Sequence, residues 1–294
     1  MPSARRQKRI ARKNKVSSKP LLKFLVLILI PLVALLLVKF TTKYWNGEDK
    51  VSVAVQNGDG SVGVLLFDPA LEEETIFTIP AETEVNVSQN LGTIRIKNVW
   101  QLGINEGVGG SLLSKTVTKN FFFPVFLWSD ETPDSVKFIT TKNSNVPIGD
   151  RIRILYFTTR VKNLSKNQID LGKSQFLTKM KLSDGALGYI IPGAISERLT
   201  FYFSDDAFSQ KVLRVYLVDA TGTFGVAENF GKIIEVMGGK IVTVEKVQKE
   251  ESECTIWGAE KGAIRKISNL FDCKIENKKT DFDVEIKLGS NFSL

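Results

Sequence analysis

From Phe24 to Val38 the chain reads FLVLILIPLVALLLV, with no polar or charged side chain in the run. Extended to residues 21–40, the segment as a helix reaches about 30 Å, the thickness of a bilayer's hydrocarbon core. None of its faces is polar, as one would be on the surface helix of a soluble protein. Lys23 and Lys39 stand near its ends, where their stems can carry the charge to the interface. Pro31 would kink such a helix, a feature that membrane helices accommodate. A cleaved signal peptide is the rival reading. The closing LLLVKFTTKYW lacks a small-residue cleavage pattern, which favours an uncleaved signal anchor.

The charge distribution fits that reading. Arg5, Arg6, Lys8, Arg9, Arg12, Lys13, Lys15, Lys19 and Lys23 precede the run with no acid among them, and the formal net charge of the chain is +8. The rest of the chain is therefore close to neutral. A basic arm could meet nucleic acid, but basic residues directly before an apolar run set topology more simply, with the N-terminus cytoplasmic. The expected partners are thus the lipid bilayer and envelope components, with no nucleic acid. The expected location is the cell membrane, single-pass, with the bulk of the chain extracytoplasmic. The absence of histidine, with only two cysteines, excludes histidine-dependent triads and structural zinc sites of four Cys/His ligands.

Beyond the run the expected fold is α/β, in two parts: a mixed α/β region and a small C-terminal α/β sandwich. The expected organisation is a basic cytoplasmic tail over residues 1–20, a single transmembrane helix over 21–40, an α/β region over 50–205 and a C-terminal domain over 212–294. In the first region, Val51–Gln56 and Val62–Phe67 flank Asn57-Gly58-Asp59-Gly60 and predict a hairpin. Thr75–Ile79 predicts a strand that stops at Pro80. Leu112, Leu113, Val117 and Phe121 predict a short helix. Phe122–Trp128 and Arg151–Thr159 read as strands. In the second region, Val212–Val218, Lys240–Val247 and the alternating Val284, Ile286 and Leu288 read as strands. Val226, Ala227, Phe230, Ile233, Ile234 and Met237 mark one helical face, and Ala263, Ile264, Ile267 and Leu270 another.

The second region resembles the LytR C-terminal domain of cell-envelope proteins. The resemblance rests on VYLVDATGTFGVAENFGKIIEVMGGKIVTV, residues 215–244, and on the closing DVEIKLGSNF, residues 283–292. The first region resembles a shortened, divergent LytR-CpsA-Psr domain. There VLLFDPALEEETIFTIPAETEV, residues 64–85, stands where the family has a strand ending in S-I-P-R-D-T, and Gly109–Val117 resembles its Gly-Gly helix. The resemblance implies transfer of lipid-pyrophosphate-linked glycopolymer to the cell wall, with a divalent metal and an arginine cluster at the pyrophosphate. Ala81 occupies the family's arginine position, Glu82 its aspartate, and the acidic turn offers only Asp59. No catalytic residue is carried over, because alanine cannot bind phosphate oxygens in pairs as arginine does.

The candidate anion-binding groups are Arg95 and Lys97 in TIRIK and Arg151 and Arg153 in DRIRIL. Each pair would share a face on a strand and could meet phosphate, or could be an ordinary solvated face. Asp59 with Asp68 could hold a metal, or Asp59 could simply make its turn. Gly107-Val108-Gly109-Gly110-Ser111 could bind an anion at a helix start, or be a plain loop and cap. Cys254 and Cys273 could pair in an oxidising compartment, or stay as two core thiols. These readings converge on a membrane-anchored envelope protein, bacterial in type and without cofactor or metal. It would bind wall glycan such as peptidoglycan, a lipid-linked glycan precursor, or other envelope proteins. The alternative is an active phosphotransferase, and only that reading calls for Mg2+.

Overall fold

The computed structural model describes Phe24, Leu29, residues 43–193 and residues 201–294. The fold is mixed α/β. The single transmembrane helix needs correction: among the described residues no helix is long and apolar enough to cross a membrane. Of residues 21–40 only Phe24 and Leu29 are described, and the basic tail over 1–20 lies outside the described residues. A span needs about 20 apolar helical residues. The longest described helix, Ile148–Arg160, has 13 and carries three arginines.

The first sheet starts as the predicted hairpin. β1 (Val51–Gln56) and β2 (Val62–Asp68) pair antiparallel, with Val51 opposite Phe67 and Gln56 opposite Val62. Asn57 N–H donates to Ser61 O, and Gly60 takes a φ of +82°, which closes the turn. β3 (Glu73–Ile79) pairs antiparallel with β2. A small antiparallel pair follows, β4 (Glu84–Asn86) and β5 (Thr93–Arg95). α1 (Val99–Asn105) and α2 (Ser111–Phe121) come next, and α2 buries all four apolar residues expected of it.

β6 (Leu127–Ser129) is far shorter than the strand expected over Phe122–Trp128. Phe122 takes a left-handed conformation that ends α2, and Pro124 has no N–H to give a ladder. α3 (Lys137–Thr140) and α4 (Ile148–Arg160) follow. The strand expected over Arg151–Thr159 is therefore a helix. β7 (Lys166–Asp170) completes a sheet of order β6-β1-β2-β3-β7.

Alternate residues of β1 and β2 feed two different cores. Ala54, Val64 and Leu66 pack with α1 and α2 through Val99, Leu113 and Val117. Val53, Leu65 and Phe67 pack with Phe138 and Ile154 from α3 and α4. Helices thus cover both faces, which is why β2 is apolar along nearly its whole length. β8 (Thr178–Lys181) and β9 (Leu187–Ile190) form a separate antiparallel pair.

After the short α5 (Asp206–Ser209) comes the second sheet. Its strands are β10 (Arg214–Ala220), β11 (Lys240–Lys246), β12 (Cys254–Gly258), β13 (Lys274–Ile275) and β14 (Val284–Gly289), in the order β11-β10-β14-β12-β13. β14 is central, and β10 lies between its parallel neighbours β11 and β14. α6 (Val226–Val236) and α7 (Lys261–Phe271) share one core with Val215, Leu217, Ile256, Ile286 and Leu288. The other face carries Tyr216 stacked on Phe282, with ring centroids 4.7 Å apart. The Asp219 carboxylate accepts the backbone N–H and hydroxyl of Thr221, which shapes the turn into α6.

Candidate functional site

The residues at the family's motif positions do meet in space. β3 runs into Pro80, whose carbonyl accepts the N–H and hydroxyl of Thr83 and so turns the chain sharply. The Asn57–Gly60 turn lies against that corner. A Cβ placed on Gly60 would stand 3.0 Å from Lys97 Cβ and 3.5 Å from Ala81 Cβ. Gln56 Nε2 donates to Lys97 O, tying the end of β1 to the same place. The acidic turn, the Ala81–Glu82 corner, Arg95 and Lys97 thus form one cluster.

Its charges neutralise one another. The Glu82 carboxylate meets Lys97 Nζ at 2.5 Å and Arg95 Nη1, and Arg95 Nη2 meets Asp184 from the β8–β9 turn. The Lys97 hydrogen bond first, and then the Arg95 and Lys97 charges, hold Glu82 below the usual carboxylate range. The Ala186 N–H and, to a lesser degree, Arg95 hold Asp184 low. Asp59 is held low by the Ser61 hydroxyl and N–H, which it accepts at 2.6 and 2.9 Å. Two carboxylates, Glu82 and Asp184, therefore face the two cations, and the guanidinium fork that phosphate would need is already occupied. Sequence reading reached Arg95, Lys97 and Glu82. Asp184 escaped it, because Asp184-Gly185 signals a turn and nothing local places it beside residue 95.

Opening this clamp should expose a latent anion site. E82Q is expected to bind inorganic pyrophosphate at neutral pH, seen as 31P line broadening, while the parent chain shows none. The parent should gain the same binding only as pH falls below the ordinary glutamate range. Glu82 is depressed, so it keeps its charge, and its hold on both cations, until then. Equal broadening in both proteins at neutral pH would show that the clamp does not block anions.

Arg151 and Arg153 belong elsewhere. On α4, residues two apart point to nearly opposite sides, so the pair expected on a strand face diverges. Arg151 is buried and donates to the carbonyls of Val146, Thr141 and Ile139 at 2.6 to 3.1 Å. Arg153 donates to the carbonyls of Trp45 and Asn46. The two basic pairs do not converge on one cleft.

The other candidates resolve in the same way. Asp59 lies in the turn before β2 and Asp68 is the last residue of β2, about 20 Å apart at about 3.3 Å per residue. Asp68 is spent on Lys50 at 2.8 Å and on the N–H groups of Ala70 and Leu71. Among the described residues no group of three or more acidic or Cys side chains could hold a metal ion. These residues do not fit a divalent cation, and no chemical step is assigned to one. At the Gly107–Ser111 loop, Trp100 and Trp128 pack edge to face across the start of α2. A Cβ on Gly110 would come within 2.6 Å of both rings, so this glycine serves packing. Cys254 and Cys273 are joined by a disulfide, with Cα atoms 4.5 Å apart.

No family model matches the chain, and no curated protein matches it. About half of the chain is similar to solved structures of LytR-CpsA-Psr proteins. One is TagT of Bacillus subtilis, at 13% identity and a TM-score of 0.31, over 51% of this chain and 87% of that one. A second is the LytR-CPS2A-psr family protein YwtF (TagT) with bound octaprenyl pyrophosphate lipid, at 14% and 0.35 over the same shares. A third is TagV of B. subtilis, at 9% and 0.31, over 50% of this chain and 92% of that one. These likenesses do not show a LytR C-terminal domain, and that resemblance stands on residues 215–244 and 283–292 alone.

Proposed function

We propose that the chain is a non-catalytic, extracytoplasmic cell-envelope protein. It would bind wall glycan, a lipid-linked glycan precursor or an envelope partner. The observation that carries this reading is the Glu82 clamp: at the motif corner, alanine replaces the phosphate-binding arginine and the nearby cations are held by Glu82 and Asp184. The Cys254–Cys273 bond supports the extracytoplasmic placement, because disulfides persist in oxidising compartments. The small two-layer C-terminal domain supports the envelope assignment through its resemblance to the LytR C-terminal domain.

The full chain in non-ionic detergent is expected to co-sediment with purified peptidoglycan, and to show no magnesium-dependent transfer of glycan from a lipid-pyrophosphate donor. Turnover in that assay would replace this reading with the phosphotransferase one. Absence of both sedimentation and turnover would leave a lipid-linked precursor or an envelope protein partner as the ligand.

A further inference from the structure

A second basic site lies at the far end of β3 from the Glu82 corner. There a groove of about 490 Å³ opens between the C-terminal half of α4, the segment around Trp45 and the β2–β3 turn. Arg153, Arg160 and Lys162 line it, with Glu72 as the one acid in the lining. None of the three cations meets a carboxylate within 4.0 Å among the described residues, in contrast to Arg95 and Lys97. Arg153 is positioned by the Trp45 and Asn46 carbonyls, both through Nη1. Arg160 lies over the Tyr156 ring, 5.3 Å from its centroid. That pairing fixes the guanidinium and leaves a tyrosine that is 60% exposed at the rim. Two residues past Lys162, Leu164 is 97% exposed at the tip of the same loop.

We propose that this groove takes the phosphodiester headgroup of an anionic lipid, with Leu164 entering the edge of the acyl layer. Cations that no carboxylate neutralises supply charge complementarity to phosphate. An exposed tyrosine and leucine beside them form the mixed apolar and basic surface that suits a membrane interface. A soluble phosphate ester would use the same cations but would have no use for Leu164. The proposal concerns a site apart from the motif corner, and it does not depend on whether that corner is catalytic.

The test uses the full chain in two settings. In non-ionic detergent, glycerophosphoglycerol is titrated calorimetrically. R160Q/K162Q should weaken binding roughly 25-fold, about fivefold for each cation removed. K179Q/K181Q, which removes the same charge from the exposed strand β8, should leave it unchanged. In lipid discs, the L164C variant carrying a polarity-sensitive dye should shift to the blue when phosphatidylglycerol is present. It should not shift in phosphatidylcholine alone, nor when R160Q/K162Q is added. Binding of the soluble headgroup without any dye shift would overturn the membrane assignment in favour of a free phosphate ester. A dye shift of equal size in both lipids, or no headgroup binding at all, would overturn the site. Neither result bears on sedimentation with peptidoglycan, so the two readings fail separately.

Discussion

Reducing the Cys254–Cys273 bond is expected to destabilise the C-terminal domain by about 3 kcal/mol, because it releases a loop of 19 residues in the unfolded chain. For a unit of fewer than 100 residues melting by itself that corresponds to a fall in Tm of roughly 12–24 °C. The bond ties the start of β12 to the α7–β13 corner, beside the short parallel β12–β13 ladder. Cys254 opens β12, opposite Leu288 of β14. Cys273 follows Asp272, which ends α7 in a left-handed conformation, and its carbonyl accepts the Ser268 hydroxyl. Both cysteines are almost wholly buried, so reductant reaches the bond chiefly through opening of the domain. Thermal melts of the parent chain with and without reductant should differ by the stated amount, whereas C254A/C273A should melt low under both conditions. A parent chain whose melt ignores reductant after prolonged incubation above its Tm would remove the disulfide, and with it one support for an extracytoplasmic location.

That domain was legible in the sequence because its elements obey simple periods. The apolar residues of α6 and α7 recur at helical spacing, and those of β14 alternate. The β1–β2 hairpin was equally open, since Asn-Gly and Asp-Gly mark its turn. α4 was not. Arg151-Ile152-Arg153-Ile154 alternates like a strand, and the β-branched and aromatic residues after it favour one. Burial instead follows Arg151, Ile154 and Thr158, a helical face, so tertiary packing overrides the local pattern. A start signal was present in Pro147 and Asp150, the latter in the first turn. The motif corner was half legible. Sequence spacing places Arg95 and Lys97 together, but only folding brings Asp184 across 89 positions to Arg95. Glu82 within the corner and this long-range contact together turn an anion-binding pair into a neutralised one.

The misread helix also yields the second large effect. R151M should cost at least about 3 kcal/mol, because the buried guanidinium satisfies several backbone carbonyls at once, that of Val146 in a fully buried contact. Its Nε donates to Val146 O and its Nη1 to Thr141 O, both at 2.6 Å, with Ile139 O at 3.1 Å. The Ile139 carbonyl belongs to the short α3, and the Thr141 and Val146 carbonyls to the α3–α4 connection, a stretch with little regular structure to pair its backbone. One side chain therefore acts as its internal scaffold. Burial pushes the Arg151 pKa down and Asp130 pushes it back up, but an arginine stays charged at any working pH. Methionine keeps much of the stem's volume and none of the donors, so its loss isolates the hydrogen bonds from the packing. R151K should recover little of that loss: an ammonium is a compact charge and cannot reproduce a planar fork reaching several carbonyls. R160Q, on an exposed residue of the same helix, should change stability by less than about 0.5 kcal/mol. Urea unfolding of the four proteins separates these cases. If R151M fell within about 1 kcal/mol of the parent, the connection would be holding itself without the arginine, and the case for Arg151 as a structural rather than a ligand-binding residue would fail with it.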